Sequence, residues 1–578
     1  MKSLKELYRI GPGPSSSHTL GPMRACLKFK EAHQGAARFQ AELFGSLALT
    51  GKGHHSDQII IDTLAPIPCT VLFSQAEQLP HPNTMKLHAI DAEGKIYDTW
   101  TICSIGGGAL HILEIQDEME GKEIYPQKNF QEIKAECLRR KIYLRDYVDQ
   151  YEQIDDYLSE IMDAMMKAVE RGLGADGYLP GKLHLLRVGR SLYRKALTCN
   201  DPIIKEKMLL CAYAYSVSEE NAAGGYVVTA PTLGSSGILP AIVYYFYHDK
   251  GYSKQQIITG LKIAGIIGNL IKQNATISGA QGGCQAEIGA ACAMGAAMIA
   301  SLQGLNDAMI EYAAEIGIEH HLGLTCDPVG GYVMIPCIER NAVATLRAMD
   351  AAFLSGTLSE LKGNRVSLDM VINTMNYTGR KLAIELKETS LGGLATVVPL
   401  EDKIINQTMI VYASKSGNTK QLADALEKEM LVRSIPTAEI SEEEIASCQS
   451  FLIGYWVNQG NCDEETKKLL TKLHGKQIFL FGTLGAKDSG NYYDAVKQRV
   501  EALLGDNELI GHYLCQGKIR PEVIERYRVM AKQKPDDEHL QMQLENYEAG
   551  ITHPDQNDIQ LLLEAYRCMK SKLHAPKR

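Results

Sequence analysis

The sequence predicts a multidomain protein: a small N-terminal α+β domain, an all-α middle domain and a C-terminal α/β domain with a parallel sheet. Three observations carry this. Residues 1–125 mix Gly and Pro with short β-type runs such as Thr70–Ser74 and Ile96–Ile105. Residues 156–395 hold long helical patterns rich in Ala and Gly, with few alternating stretches between them. From Met409 onward, short apolar runs alternate with helical stretches, the pattern of βαβ units.

In chain order, residues 126–155 are charged and Tyr-rich and read as a helical connector. Helices are expected over Asp156–Glu170, Lys207–Glu219, Lys254–Lys272, Ala286–Gln303, Asp307–His320 and Ser367–Glu388, giving an all-helical domain of residues 156–400. The break at 396–407, with Pro399, reads as a linker. Met409–Ala413, Ser450–Gly454 and Gln477–Gly482 are short apolar runs, the last two leading into Gly-containing loops. They place the α/β domain in 404–578, with a polar helical extension from about residue 520.

The 578 residues carry 60 Lys and Arg against 69 Asp and Glu, a formal charge of −9. A hydrophobic fraction of 45% with 22% charged residues is that of a folded chain and excludes disorder over most of its length. The mild acidity argues against a nucleic-acid partner and leaves small anionic substrates open. Fourteen Cys are too few for a disulfide scaffold. The N-terminus MKSLKELYRIGPG lacks the apolar core of a signal peptide, so the reading is a cytoplasmic protein with free or metal-bound thiols. No charge occurs between Glu287 and Asp307, but this stretch is built from Ala, Gly, Ser, Cys and Met. It reads as a tightly packed core helix rather than a membrane span.

Four segments carry possible chemistry. Gly11–Thr19 (GPGPSSSHT) fixes a tight loop crowded with Ser15, Ser16, Ser17, His18 and Thr19. Hydroxyls and backbone N–H groups of this kind hold a carboxylate or phosphate, or simply cap the helix that starts near Gly21. Gly45–Asp57 runs from a strand into a Gly-rich loop with Lys52, His54 and His55, suited to proton transfer or merely solvated. Glu219–Pro240 places Asn221, Thr229, Thr232 and two Ser among paired Gly, either a backbone close to a ligand or a helix-breaking loop. Cys284, Cys326 and Cys337 each lie where a Gly- or Pro-rich loop meets a helix, and no CxxC pair exists. Three loop thiolates can hold an iron–sulfur cubane by three corners; plain packing is the alternative.

Taken together, GPSSSHT, KGHH, EENAAGG with VTAPT, GGCQAEIG, EHHLGLTCDPVGG and PCIERN resemble the iron–sulfur L-serine dehydratase family over residues 1–398. The resemblance implies a [4Fe–4S] cluster on Cys284, Cys326 and Cys337. It also implies that the Ser15–Thr19 loop and the His54 loop face the cluster and handle the amino acid. On this reading Ser15, Ser16, Ser17, Thr19, Lys52 and Asn221 bind substrate, and His54 or His18 is the base. Lys182, Arg187 or Lys272 is left to pair with the carboxylate. The expected reaction is β-elimination of L-serine to pyruvate and ammonia, in a homo-oligomer (a dimer), with elimination from threonine or cysteine as the alternative. Single-chain members carry a tail after the GGLA motif that ends in a Cys and caps the free iron. Here Gly392–Ala395 is followed by TVVPLED, without Cys, so no terminal Cys is expected to cap the site.

A fifth segment, Tyr412–Thr419 (YASKSGNT), follows a strand and opens a helix. It resembles the FMN-phosphate loop of flavodoxins, with Ser414, Lys415, Ser416, Gly417, Asn418 and Thr419 around the phosphate and Trp456 over the flavin. The alternatives are an empty flavodoxin-like fold, or a redox protein in which flavin and cluster exchange electrons on a dehydratase-like scaffold.

Overall fold

The computed structural model describes residues 1–75, 78–115, 121–398, 406–430, 432–488 and 491–573. The chain divides into two compact units, Met1–Asp402 and Lys403–Arg578. Pro399, on which the expected linker was centred, lies outside the described residues.

The first unit opens with strand β1 (Ile10–Pro12). A five-stranded sheet follows, built from β2 (Arg38–Leu43), β3 (Cys69–Phe73), β4 (Thr84–Ile90), β5 (Ile96–Ser104) and β6 (Leu110–Ile112), in the order β3-β2-β4-β5-β6. β2 runs parallel to β3 and antiparallel to β4, and the remaining pairs are antiparallel. Side chains alternate across a strand, so Phe39, Ala41 and Leu43 share one face. They pack there against Phe29 of the helix Gly21–Ala32 and against Ile60 and Leu64 of the helix Ser56–Leu64. The Gly45–Asp57 segment is less of a loop than expected, because Ser46–Thr50 forms one helical turn and Ser56 already starts the next helix.

Several helices of the helical part start with side-chain caps, which satisfy N–H groups that have no partner within the helix. Asp201 accepts from the N–H groups of Ile203 and Ile204 ahead of Pro202–Ala222, and Pro202 takes the first position. Ser253 and Gln256 form a reciprocal capping box on Lys254–Asn274. Asn306 caps Asp307–Glu319. Ala290–Leu302 lies at the centre, and 89% of the apolar stretch Gln285–Leu302 is buried inside the unit, as a packed core helix should be. The first residues of the chain join this core: Leu4, Leu7, Tyr8 and Leu20 are buried with it. β1 pairs antiparallel with β7 (Tyr226–Val228), so the helical part is not free of strands.

One expected helix is cut short. The helix expected over Ser367–Glu388 ends early: it spans Leu368–Lys381, and Glu388 adopts a left-handed φ of 59°. The reason is tertiary. Cys326 N–H donates to Leu386 O at 2.8 Å and Glu388 N–H to Cys326 O at 2.6 Å, so this segment pairs with the Cys326 strand instead of with its own preceding turn.

The second unit is a parallel sheet of β8 (Asn406–Tyr412), β9 (Ser434–Pro436), β10 (Cys448–Asn458), β12 (Gln477–Leu484) and β13 (Glu508–Gln516). Its order is β13-β12-β10-β8-β9, and a short β11 (Asn461–Cys462) folds back on β10 through Gln459 and Gly460, both at positive φ. This is the expected α/β class, with the switch in strand order falling between β8 and β10. Leu562 and Tyr566 of the last helix, Gln556–Leu573, pack with Leu422 and Leu426 of Asn418–Met430 and with Phe479 on one sheet face.

Candidate active site

Strand pairing brings the first and third motifs together. Ile10, Gly11 and Pro12 pair with Val228, Val227 and Tyr226, so the serine-rich loop emerges beside Glu219–Pro240. Ser16 Oγ accepts from Leu233 N–H at 2.6 Å, and Asn221 Nδ2 donates to Pro14 O at 2.8 Å. Ser15 caps the turn by accepting from His18 N–H at 3.3 Å. Thr19 Oγ1 shares its one hydrogen between Ser15 O and Pro12 O, and accepts from Ser15 N–H. Thr19 therefore closes the loop on itself and does not face outward as a substrate contact.

His18 is fully buried at the end of this turn and stacks on His54, with ring centroids 4.2 Å apart and planes at 21°. Its tautomer follows from its neighbours. Thr50 Oγ1 donates its hydrogen to Ser46 O at 2.9 Å, and Ser46 Oγ donates to Glu388 O at 2.7 Å. A hydroxyl has one hydrogen. His18 Nε2, at 2.9 Å from Thr50 Oγ1 and 3.2 Å from Ser46 Oγ, is therefore the donor to both. Its Nδ1 carries the lone pair, 3.3 Å from Ser15 Oγ and 3.5 Å from Glu388 Oε1. His54 has the opposite tautomer. Its Nδ1 lies 2.9 Å from Thr50 O, and a carbonyl only accepts, so Nδ1 carries the proton and Nε2 is basic. Among the described residues no hydrogen bond reaches His54 Nε2. Burial holds His18 well below the usual histidine range, helped by the neighbouring His54, and lowers His54 to about 4. Both rings are neutral near pH 7.

The thiols meet the histidines through Glu388. Its backbone N–H binds Cys326 O, its backbone carbonyl takes Ser46 Oγ, and its carboxylate lies in one group with His18 and His54. Burial, with Glu287 nearby, raises the Glu388 carboxyl well above the usual range, and Oε2 has no partner. Cys284, Glu287 and Cys326 place their ligand atoms within 4.8 Å of one another, and Cys337 is buried at the head of the helix Cys337–Leu358. A hydrogen bond from Cys326 lowers the Cys284 thiol and raises that of Cys326, while burial raises Cys337. Burial also raises Glu287, whose Oε1 accepts from Thr232 Oγ1 at 2.8 Å, to about 7.

Arg340, one turn beyond Cys337, donates to Thr325 O at 2.6 Å and reaches Asp327 Oδ1 at 3.4 Å. Its guanidinium stands beside Cys284 and Cys337 and is held charged by them. Asp327 in turn accepts from Leu394 N–H at 2.8 Å, tying the GGLA segment to this loop. The donor set fits an iron–sulfur cluster. Three soft thiols come from three segments, one positive charge faces them, and Gly279 leaves room. A Cβ on Gly279 would lie 2.7 Å from Glu287 Oε2 and 3.3 Å from Cys326 Sγ.

Sequence reasoning singled out His18, His54, the serine loop, Asn221 and the three Cys, and these lie in neighbouring segments of one buried region. It missed Glu287, Glu388 and Arg340; the signal for Arg340 was its place in PCIERN, one turn after a ligand. Lys52 is exposed, its Nζ 5.5 Å from the Phe73 ring, and is not part of the buried group. The expected cationic partners are also elsewhere: Arg187 pairs with Glu220 at 2.9 Å, Lys272 Nζ donates to Glu6 O at 3.2 Å, and Lys182 is exposed.

In the second unit, Ser414–Thr419 follows β8 at the switch point, and Gly417 has φ 87°. Ser414 Oγ accepts from Lys420 N–H at 3.2 Å and caps the helix. Asn418 Nδ2 is tied to Lys518 O at 2.9 Å, and Thr419 is buried against Thr483 Oγ1 at 2.9 Å and Tyr455 O at 3.3 Å. Both therefore shape the loop from behind. Lys415 Nζ lies 5.0 Å from the Trp456 ring, so the loop and this indole are adjacent.

Comparison with known proteins divides the chain in the same way. Residues 3–71 match the serine dehydratase beta chain family, residues 89–395 the serine dehydratase alpha chain family, and residues 409–567 the flavodoxin domain family. L-serine dehydratase 1 of Escherichia coli K12 is 39% identical over 455 residues, covering 69% of this chain and 99% of that protein. L-serine dehydratase of Streptomyces coelicolor is 38% identical over 458 residues, covering 68% of this chain and 98% of that protein. L-serine dehydratase of Helicobacter pylori is 35% identical over 449 residues, covering 68% and 98%. Among solved structures, a flavodoxin from the domain Archaea aligns over 25% of this chain and 97% of its own length, with 18% identity and a TM-score of 0.15.

Proposed function

From the premise that the chain belongs to the L-serine dehydratase family and is a lyase of that kind, we propose that it eliminates water from L-serine on a [4Fe–4S] cluster held by Cys284, Cys326 and Cys337. The observation that carries this reading is that Glu388 joins the Cys326 loop to the buried, neutral pair His18 and His54, with Cys284 and Glu287 in reach of Cys326. When bound, the cluster supplies a Lewis-acidic iron for the substrate hydroxyl, a poor leaving group. The chain supplies the proton chemistry. His54 Nε2 removes the Cα proton, while Thr50 O holds the Nδ1 proton and so fixes the tautomer. His18 packs against the face of His54 and is itself clamped by Ser46 and Thr50. Burial excludes water until the aminoacrylate leaves and hydrolyses to pyruvate and ammonia. Free thiols and a cluster suit a reducing cytoplasm, where we place the protein.

Comparison of L-serine, L-threonine and L-cysteine under anaerobic conditions tests the substrate. The highest kcat/KM is expected for L-serine; faster turnover of L-threonine would overturn the assignment. The pH profile tests the base. With His54 lowered to about 4, its protonation does not switch the reaction off between roughly pH 6 and 8. A flat kcat/KM is expected over that range. A loss of about threefold on going from pH 7 to 6 would place the base on a group with an ordinary histidine pKa.

The second unit is proposed to bind FMN, with its phosphate on the N–H groups of Ser416–Thr419 and its ring beside Trp456. Support comes from the flavodoxin family match and the position of the loop at the strand switch. Titration of the whole protein should give saturable quenching of flavin fluorescence at roughly micromolar FMN, weakened by about 2- to 12-fold in Trp456→Ala. No quenching would mean an empty fold.

A further inference from the structure

We propose that the head group of the amino-acid substrate, its carboxylate and ammonium, is recognised by the neutral side chains of Asn83, Ser104 and Ser278 rather than by a lysine or arginine. The inference rests on the elimination reading above and names the residues that read its substrate. Asn83 precedes β4 and Ser104 ends β5. Thr84 pairs with Cys103, and Ser104 N–H donates to Asn83 O at 2.9 Å, so Asn83 stands opposite Ser104. Alternation along paired strands turns both side chains to one face. That face meets the serine loop: a Cβ on Gly21 would collide with Ser104 Oγ and lie 3.3 Å from Ser16 O. Ser278 closes the space from the other side. Its Cβ lies 3.3 Å from the point where Gly106 would carry one, and the next residue, Gly279, borders Cys326 Sγ.

All the polar side-chain atoms of this trio are buried and unpartnered: Asn83 Oδ1 and Nδ2, Ser104 Oγ and Ser278 Oγ. Relative exposure is 0% for Asn83, 0% for Ser104 and 1% for Ser278. Folded proteins rarely leave such atoms unmet, and each instance asks for an explanation. Here four of them, on three residues, lie between the serine loop and the loop that carries Cys284, with Ser278 next to the glycine that borders Cys326 Sγ. An amide offers two donors and an acceptor, and a hydroxyl either role. Together they can donate to a carboxylate and accept from an ammonium. This also accounts for the cations that sequence reasoning nominated being held elsewhere.

The test uses the whole protein with its cluster reconstituted, comparing wild type with Asn83→Ala, Ser104→Ala and Ser278→Ala. KM for L-serine should rise about 10- to 100-fold in Asn83→Ala and Ser278→Ala, the loss of hydrogen bonds to a charged group. kcat should stay within about threefold and the cluster absorbance should be unchanged. Ser104→Ala and Ser278→Ala should not lower Tm, because each removes an unsatisfied hydroxyl. Should Asn83→Ala fail to fold, Ser278→Ala decides alone. A lowered Tm with unchanged KM would show that these atoms bind internal water or neighbouring protein, and would overturn the inference while leaving the elimination intact. Failure of the elimination reading shows in the wild type instead, as cluster-loaded protein without serine turnover, and takes this inference with it.

Discussion

Alanine at any one of Cys284, Cys326 or Cys337 is expected to remove the iron–sulfur absorbance and to reduce serine turnover to background. Each thiol comes from a different segment: the turn before Ala290–Leu302, the loop paired with Leu386–Glu388, and the head of Cys337–Leu358. Among the described residues, Cys284 and Cys326 share one ligand group with Glu287, and Cys337 faces the same Arg340 as Cys284, so each of the three is a separate corner. Cys292, buried in the core helix, is the control. Its alanine variant should keep the cluster, at a packing cost of about 1 kcal/mol. Iron and sulfide retained at wild-type levels in Cys284→Ala would show that the cluster is held elsewhere.

His54→Ala should lower kcat by about 10²–10⁴ with the cluster content unchanged, the usual cost of deleting a general base. The argument is the tautomer. His54 Nδ1 is fixed on Thr50 O, leaving Nε2 basic and without a hydrogen bond among the described residues. His18 presents its lone pair at Nδ1, between Ser15 Oγ and Glu388 Oε1. His18→Ala should therefore act through the position of His54 and cost less. The reverse ranking, with His54→Ala active and His18→Ala dead, would make His18 Nδ1 the base.

Much of this site was legible in the sequence, for a physical reason. A ligand Cys at a Gly-rich loop, a hydroxyl-rich turn and a Gly-flanked histidine pair are unusual local chemistry, and each sits where backbone must approach closely. What could not be read was direction. Thr19 and Thr419 are both hydroxyls in promising loops, yet both turn inward and bond within the fold. Lys52 lies two residues from His54 and still faces outward. Glu388 was hidden inside a helical pattern that tertiary pairing with Cys326 interrupts. Asn83, Ser104 and Ser278 carry no motif at all, and only strand register and the glycine contacts bring them together. The edge strand β9 spans three residues and β13 is half exposed, so neither gave the apolar run by which β8, β10 and β12 were found.

The most direct test is to purify the protein without oxygen, count iron and sulfide, and assay the same sample for pyruvate from L-serine. The expected result is about four iron and four sulfide per chain, with pyruvate formed in proportion to cluster content and lost together with it on exposure to air. Pyruvate formed at full rate by protein free of iron and sulfide, or a loaded cluster with no turnover of L-serine, would contradict the account.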